Sequence, residues 1–420
     1  MRMKLSGILL TLFVLIQGIS YGQTYDMVIK GGHVIDPSSN TSRVLDVAVS
    51  GNRVAKVAQG IPAGQAKTVV DATGLYVVPG LIDLHVHVFY GTEQRSAYRN
   101  SFSAVQPDAF SFRSGVTTMV DAGSPGWKSF ETYRKQTISH SKTRIFVFLN
   151  IVGEGMKGGD AEQNIGEMSA TRAARLAGYH PDIIRGFKLA HFSGHDWAPV
   201  DSVVRAGTLA NLPVMIDFGG STPELSLETL LMNKLRPGDI FTHAYAKVRG
   251  RTSMVDDNSK VRPLIFDARK RGIIFDVGHG GASLQFSQAI PAIKQGFKPD
   301  VISTDLHTGS MNAGMKDMLN VMSKFLNMGM SMEEVIACST LAPANIIKRN
   351  DLGRLSEGSL ADITLLKVES GNFGFTDARG WRMKGSKKLV SELTVLDGNV
   401  VWDLNGLTAK DWSTSLTGEK

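Results

Sequence analysis

Short apolar runs recur along the whole chain, but the spacing between them changes twice. From residue 24, the β-rich runs YDMVIKGGHVID, VLDVAVSGNRVAKVA and KTVVDATGLYVV follow one another with no room for helices, which predicts antiparallel hairpins. After residue 350 the same pattern returns in LADITLLKV and LVSELTVLDGNVVWDL. We expect these two β-rich ends, residues 24–78 and 351–405, to pack together as one small β-sandwich domain.

Between these ends, over residues 79–350, apolar strands alternate with segments long enough for a helix. The candidate strands are 77–87, 115–123, 144–153, 183–192, 213–219, 239–246, 272–280 and 300–307. They are continuous apolar runs, as expected when both faces of a parallel sheet are covered. Eight β-then-α units are the number that closes a (β/α)8 TIM barrel, which gives an α/β fold. An open doubly wound sheet is the alternative, and the lack of a Gly-rich phosphate loop disfavours it.

The first 22 residues predict a signal peptide. Arg2 and Lys4 precede an apolar run over 7–16, and small residues follow up to Gly22. The run is shorter than the roughly 20 residues that span a bilayer, which favours cleavage over a retained anchor. We therefore expect export to the periplasm or beyond, and no transmembrane span in the mature chain. Residues 406–420 are expected to form a tail.

Composition changes this interpretation little. Hydrophobic residues make up 42% and charged residues 20%, which is ordinary for a globular protein, and the formal net charge is +7. The single cysteine, Cys338, excludes an internal disulfide framework. A basic cluster lies near the C-terminus: Arg379, Arg382, Lys384, Lys387 and Lys388. We interpret it as a solvated loop, because no aromatic residues are interleaved as in nucleic-acid-binding segments.

Polar side chains fall at the C-terminal ends of the predicted barrel strands, where the active sites of such barrels lie. They are His85, His87, Lys188, Asp217, His243, His279, Asp305 and His307. His85 and His87 are two residues apart and share one face of a strand. Neutral imidazole is the commonest nitrogen ligand of metals in proteins. Each of these residues interrupts an apolar strand that has no other reason to bury it, so together they predict a metal site.

With these residues, the chain resembles the amidohydrolase superfamily of metal-dependent hydrolases over roughly residues 25–405. The matching segments are PGLIDLHVHV (79–88), RGFKLA around Lys188, DIFTHA around His243, DVGHGGAS (276–283) and STDLH (303–307). The pairing of DVGHG with STDLH is most similar to the dihydroorotase-like deacetylases, which are related to dihydroorotases and D-aminoacylases.

The resemblance implies two divalent metal ions, expected to be zinc, bridged by a hydroxide and by a carboxylated lysine. Lys188 would be that lysine, His85, His87 and Asp305 would bind the more buried ion, and His243 would bind the second. Asp305 would also be the catalytic base that takes a proton from the attacking hydroxide. His279 would help to stabilise the developing oxyanion.

The chain departs from this pattern at Asp217, where the superfamily normally has a histidine. Aspartate can bind the same metals but is shorter and anionic. Because oxygen ligands suit harder ions, manganese or iron becomes an alternative to zinc at the second position. In the other interpretation Asp217 does not bind metal, and the site holds one ion. We favour ligation by Asp217.

The predicted substrate-binding residues are Asn150, His279 and His307, with Arg95, Arg249 and Arg251 as candidates for a substrate carboxylate. We predict a metal-dependent hydrolase that cleaves the amide, or ester, of a small acylated carboxylic acid. The alternatives are a cyclic-amide hydrolase of dihydroorotase type, a dipeptidase and an inactive barrel that serves as a binding scaffold. Because Lys188 and Asp305 are both present, the scaffold is disfavoured. The expected partner is a small molecule and not nucleic acid, and the sequence leaves a homo-oligomer open.

Overall fold

The computed structural model describes residues 24–413, which form two β-sheets and the helices that cover the seven-stranded parallel one. The strands are β1 Tyr25–Asp36, β2 Thr41–Ser50, β3 Arg53–Ala58, β4 Ala66–Asp71, β5 Tyr76–Pro79, β6 Leu81–Val86, β7 Val116–Gly126, β8 Arg144–Asn150, β9 Ile184–Leu189, β10 Val214–Ile216, β11 Ile240–Phe241, β12 Ile274–Phe275, β13 Ile363–Thr376, β14 Arg382–Leu396 and β15 Asn399–Asp403. The predicted signal peptide and residues 414–420 of the predicted tail lie outside the described residues.

Within the described part of the chain, the helices follow the barrel strands. They are α1 Phe130–Gln136, α2 Ala170–Tyr179, α3 Ala198–Ala210, α4 Pro263–Lys270, α5 Phe286–Lys294, α6 Thr308–Met311, α7 Met318–Asn327, α8 Met332–Ser339, α9 Leu341–Ile346 and a π-helix over Thr229–Lys234. Local sequence explains where several begin. At α8, for example, Ser331 and Glu334 form a reciprocal capping box that satisfies two free backbone N–H groups. None of the helices found in residues 24–413 is long and apolar enough to cross a membrane.

The two β-rich ends, predicted to pack together as one small β-sandwich domain, join in one eight-stranded sheet with the order β15-β14-β13-β5-β1-β2-β3 and β4 beside β1. The predicted antiparallel pairing holds for β1 with β2 and for β2 with β3. It is wrong for β4 and β5, which pair with β1 in parallel. The basic cluster is also not a loop, because four of its five residues lie on β14.

The barrel strands β6 to β12 form a parallel sheet in sequence order. The eighth predicted strand, residues 300–307, makes only isolated parallel bridges. Val301 pairs with Asp276 on one side, and Leu306 pairs with Val86 on the other. These two bridges bring the last unit against the first, as the predicted (β/α)8 fold requires.

Two apolar layers surround the barrel strands, because successive side chains of a strand point to opposite faces. On β8, Phe146 and Phe148 belong to a cluster with residues of other barrel strands, such as Met215. Ile145 and Val147 belong instead to the large cluster that includes the helices. Both faces of the sheet are therefore buried, which leaves the ends of the strands as the place for polar chemistry.

Candidate metal centre

Two histidines from the first barrel strand meet an aspartate from the last. His87 Nε2 lies 3.0 Å from Asp305 Oδ1, and His85 Nε2 lies 3.7 Å from the same oxygen. All three residues are buried, and among the described residues they form the one group of three metal-binding side chains with ligand atoms within 4.8 Å of one another. The imidazole and carboxylate donors suit zinc or a similar divalent ion.

Lys188, on β9, points its amine into the same group. Its Nζ lies 3.2 Å from His85 Nε2 and 3.4 Å from Met215 Sδ. No carboxylate of residues 24–413 lies within 4.0 Å of this amine, although the side chain is almost completely buried. Burial lowers the pKa of Lys188, and the more distant Asp217 and Asp305 only partly oppose this. The amine is thus held next to the predicted ligands without an ion-pair partner.

The other ring nitrogens of the predicted histidine ligands are held by the protein. His85 Nδ1 lies 3.0 Å from Thr242 Oγ1 and 3.4 Å from an oxygen of Asp276, and His243 Nδ1 lies 2.7 Å from the carbonyl oxygen of Gly278. His87 Nδ1 lies 3.2 Å from Ser124 Oγ. With Nδ1–H donated to these acceptors, the lone pair of each Nε2 faces the centre. Such outer contacts fix the tautomer and orientation of metal-binding histidines.

Asp217 and His243 lie on the other side of the centre. His243 Nε2 is 3.7 Å from Asp217 Oδ2, and the rings of His243 and His85 are 5.1 Å apart. Burial raises the pKa of Asp217, but the neighbouring His243, His191 and Lys188 lower it by more, which favours the carboxylate. The structure therefore brings the predicted second-site residues together beside the first group.

A third side chain that was not predicted as a ligand reaches Asp217. His191, on the loop after β9, has Nε2 3.8 Å from Asp217 Oδ2 and Nδ1 2.6 Å from Glu162 Oε2. Partial burial of the half-exposed ring opposes a charge on His191, but the hydrogen bond to Glu162 and the charge of Asp217 outweigh it and raise the pKa to about 9. Sequence analysis missed Glu162, because it lies on the loop after β8, whereas His191 follows β9, and no motif marks that loop.

Several of these residues have left-handed backbone conformations that are uncommon for residues other than glycine. The φ angles are 53° at His243, 50° at Asp305 and 54° at His191. Such strain persists only where the surroundings enforce it, and it concentrates at functional sites. At His243, the buried Arg251 donates from Nη2 to the carbonyl oxygen at 3.0 Å. Arg251, a candidate for binding a substrate carboxylate, is thus engaged in positioning His243.

The two carboxylate oxygens of Asp305 face different histidines. Oδ1 faces His85 and His87, whereas Oδ2 lies 3.8 Å from His307 Nε2. Burial raises the pKa of Asp305, but His85, His87 and His307 lower it by more, to well below the usual range. Asp305 is therefore an anion that can accept a proton at Oδ2 while Oδ1 remains with the histidines.

His279 lies deeper than the predicted oxyanion role requires. Its side chain is completely buried, with Nδ1 2.9 Å from the carbonyl oxygen of Gly280 and Nε2 2.7 Å from the amine of Lys324. Burial, with the nearby Lys324, lowers the pKa of His279 to about 3, so the ring is neutral. Both nitrogens have protein partners, and an oxyanion or substrate contact would require one of them to be displaced.

Asn150 and His307, the two other predicted substrate-binding residues, differ in whether their polar atoms already have protein partners. Asn150 donates to the carbonyl oxygen of Gly123 at 2.9 Å and accepts from the N–H of Val152 at 3.0 Å, so a substrate contact would replace a loop contact. His307 is partly exposed, caps α6 through Nδ1, and keeps Nε2 on the side of Asp305. Of the predicted set, His307 has the ring nitrogen best directed at the centre.

Comparison with known proteins shows which family and which proteins the chain is similar to. The profile of the amidohydrolase family matches residues 248–401. The chain is similar to a deacetylase of Brucella anthropi, at 34% identity over 74% of this chain and 76% of that protein. It is also similar to deacetylase Atu3266 of Agrobacterium fabrum, at 32% identity over 80% and 81%. Among solved structures, an adenine deaminase is similar with a TM-score of 0.80 and 25% identity, over 90% of this chain and 100% of that one.

Proposed function

The chain belongs to the amidohydrolase superfamily of metal-dependent hydrolases, and on that premise we propose that its substrate is an acylated small carboxylic acid. It is a deacetylase-type enzyme that hydrolyses carbon–nitrogen bonds. The observation that supports metal-dependent hydrolysis is the convergence of His85, His87 and Asp305 with the amine of Lys188, which has no carboxylate of residues 24–413 within 4.0 Å. The names of the two deacetylase relatives support removal of an acyl group from this substrate class.

The donor set fits two divalent ions. His85, His87 and Asp305 would hold one ion, and Asp217 and His243 would hold the second, with Lys188 between them. The Nε2 atoms of the three histidines face the centre while their Nδ1 atoms are held elsewhere, which is the arrangement that metal ligation needs. When bound, the ions would lower the pKa of water and polarise the scissile carbonyl group. We propose zinc, with manganese or iron as the alternative at the second site because Asp217 is an oxygen ligand.

Lys188 would act as its carbamate. A neutral lysine amine adds to carbon dioxide, forming an N–C bond and releasing a proton, and the product is an anion with two oxygen donors. Burial without a carboxylate partner favours the neutral amine that this reaction requires. An ammonium at the same position would repel the ions through its positive charge and could not bind them, since it has no lone pair. In this way the buried amine of Lys188, which has no ion-pair partner, would supply two oxygen ligands for the metal ions.

The proton chemistry would belong to Asp305. Its Oδ2 would accept the proton of the attacking water and then deliver it to the leaving nitrogen or oxygen of the substrate. His307, beside Oδ2, would orient the substrate at the mouth of the site. Arg251 would keep the strained backbone of His243 in position through its bond to the carbonyl oxygen.

The first experiment measures metal per chain by elemental mass spectrometry, on protein purified without chelators or a metal-affinity column. We expect about two ions, and hydrolysis of members of a panel of N-acyl and O-acyl carboxylic acids. Asp305→Asn, loaded with the same metals, is the matched control and should release acid about 10²–10⁴-fold more slowly. A metal-loaded wild-type chain that cleaves cyclic amides or dipeptides but no acylated acid would overturn the proposed substrate class.

We also propose that the chain acts outside the cytoplasm after removal of residues 1–22. The charged start and the short apolar run of the sequence support this location. Mass spectrometry of the N-terminus of the protein from a periplasmic fraction would test it. A mature chain that begins near Gln23 is expected, and a full-length N-terminus recovered from the cytoplasm would contradict it.

A further inference from the structure

We propose that His191 is a ligand of the second metal ion, beside Asp217 and His243, and that Glu162 positions it. The inference rests on the proposed two-ion centre. The sequence did not predict His191 as a ligand: it falls at the end of the strand predicted over 183–192, whereas the structure places it on the loop after β9. The argument comes from where its two ring nitrogens lie.

Two histidine nitrogens approach the same carboxylate oxygen. His191 Nε2 lies 3.8 Å and His243 Nε2 lies 3.7 Å from Asp217 Oδ2. Ligand atoms bound at 2.0–2.2 Å in a tetrahedral site are roughly 3.4 Å apart, so both separations are within a small side-chain movement of ligation. The trio is more open than the group of His85, His87 and Asp305. A small shift of the half-exposed His191 ring, 49% of whose side chain is accessible, would close it.

The other nitrogen of His191 is fixed by a buried carboxylate. Glu162 Oε2 lies 2.6 Å from His191 Nδ1, and Glu162 is only 1% exposed. Its Oε1 accepts from the N–H of Gly158 at 2.6 Å, so the carboxylate cannot easily turn away. A carboxylate on Nδ1 leaves Nε2 as the metal-binding atom and raises its basicity, as in carboxylate–histidine–metal arrangements.

The backbone of His191 is held just as firmly. Gln163, the neighbour of Glu162, donates from Nε2 to the carbonyl oxygen of His191 at 2.7 Å. Its Oε1 accepts from the N–H of Ser193 at 2.9 Å. Residues 162–163 thus fix the segment of His191 on both sides, in the left-handed conformation that turns the ring toward Asp217. A loop histidine without a function would not require this set of contacts.

His191 as a ligand would also compensate for Asp217, which stands where a histidine is expected. A centre with Asp217, His243 and a lysine carbamate has one neutral nitrogen at the second ion, whereas His191 adds another. The nitrogen expected from residue 217 would in this way be supplied by residue 191. This view predicts that a histidine at 217 should make His191 dispensable.

The test compares full-length variants after equilibration with buffered Zn²⁺, or with Mn²⁺ in a parallel series. Metal per chain is measured by elemental mass spectrometry, and the Kd of the second ion by competition with a chelator. We expect His191→Ala to lose about one ion per chain, or to raise the second Kd at least 100-fold. Glu162→Gln should raise it about 10- to 100-fold, as is typical for the loss of an outer contact. The double variant Asp217→His with His191→Ala should regain the second ion.

The matched control is His195→Ala, on the same loop, since His195 Nδ1 bonds the carbonyl oxygen of Pro223. It should bind metal as the wild type does, and circular dichroism of the metal-free proteins should be the same for all variants. A second-ion Kd in His191→Ala equal to that of the wild type would overturn the proposal, as would a wild type that never binds a second ion. In either case, hydrolysis of acylated acids by the wild type would leave the proposed function standing.

Discussion

The amine of Lys188 lies 3.2 Å from Nε2 of His85, and both side chains are almost completely buried. Two nitrogen atoms from different barrel strands thus meet in a buried site, and no carboxylate of residues 24–413 lies within 4.0 Å of the amine. Such a contact is expensive unless the amine is neutral or modified, because a buried charge needs a counterion. Substitution of Lys188 is therefore a direct test of metal binding at this site.

Lys188→Ala should lose metal. Without the proposed carbamate we expect the Kd of the second ion to rise more than about 100-fold, beyond the effect of losing an outer contact. Elemental mass spectrometry measures this, and a short-chain carboxylic acid added to the variant should restore part of the metal and activity. Lys324→Met is the matched control, because it removes another fully buried lysine and should keep both ions. Unchanged metal content in Lys188→Ala would refute the carbamate.

Asp305→Asn should keep the fold and lose turnover. The amide retains the shape of the carboxylate but cannot accept a proton at Oδ2, so we expect kcat to fall by about 10²–10⁴-fold. The rate is measured on protein whose metal content has been matched to the wild type by adding zinc. An active, metal-loaded variant would contradict the assignment of Asp305 as the catalytic base.

The positions of the predicted ligands follow from the apolar pattern, because the polar residues interrupt strands that all end at one face of the barrel. The lengths of the later strands do not. The strands predicted over 239–246 and 272–280 are regular only at Ile240–Phe241 and Ile274–Phe275. Beyond these points the backbone takes left-handed conformations at His243 and Gly278, which ladder pairing does not tolerate. The apolar pattern of the sequence does not predict such turns.

Contacts between loops were equally hidden from the sequence. Glu162 is on the loop after β8 and His191 on the loop after β9, and the parallel pairing of these two strands brings the side chains to 2.6 Å. Asp276, which supports His85, stood in the recognised segment DVGHG, yet its role depends on Thr242 and Ser303 from neighbouring units. Burial of an aspartate in the apolar run GIIFDV was the available signal for it.

Arg144 should contribute strongly to the stability of the junction between the barrel and the small domain. At the start of β8, it forms ion pairs with Asp362 and, at 2.6 Å, with Asp397. Because Asp362 is almost completely buried, Arg144→Met leaves a buried carboxylate unpaired, and we expect a loss of about 3 kcal/mol in the free energy of unfolding. Urea denaturation measures the change.

A surface pair provides the comparison for Arg144. Arg134→Met removes the partner of the half-exposed Glu131 and should cost less than about 1 kcal/mol. The double variant Arg144→Met with Asp362→Asn should be less destabilised than the sum of its single changes, since no buried carboxylate remains. Additive losses would mean that Arg144 stabilises the junction by packing and not by charge.

Lys324 should make stability depend on pH in the alkaline range. Lys324 lies within α7 and its side chain is fully buried. Its amine donates to His279 Nε2. Burial lowers the pKa of Lys324 to about 7, although Asp317 and Asp377 oppose the shift. An unfolded lysine keeps its proton up to about pH 10.4. Between these values the unfolded chain binds more protons than the folded one, so the free energy of unfolding should rise with pH.

The rise from this one group is at most about 1.4 kcal/mol per pH unit, and on the order of 2 kcal/mol between pH 7 and 9. Below pH 7 both states hold the proton, and the contribution to the slope disappears. Lys324→Met should therefore flatten the difference between urea denaturation at pH 7 and at pH 9, whereas Lys294→Met, at an exposed position of α5, should leave it as in the wild type. A slope in Lys324→Met equal to that of the wild type would mean that Lys324 stays protonated in the folded chain, with its charge stabilised by the carbonyl oxygen of Gly314 and by His279.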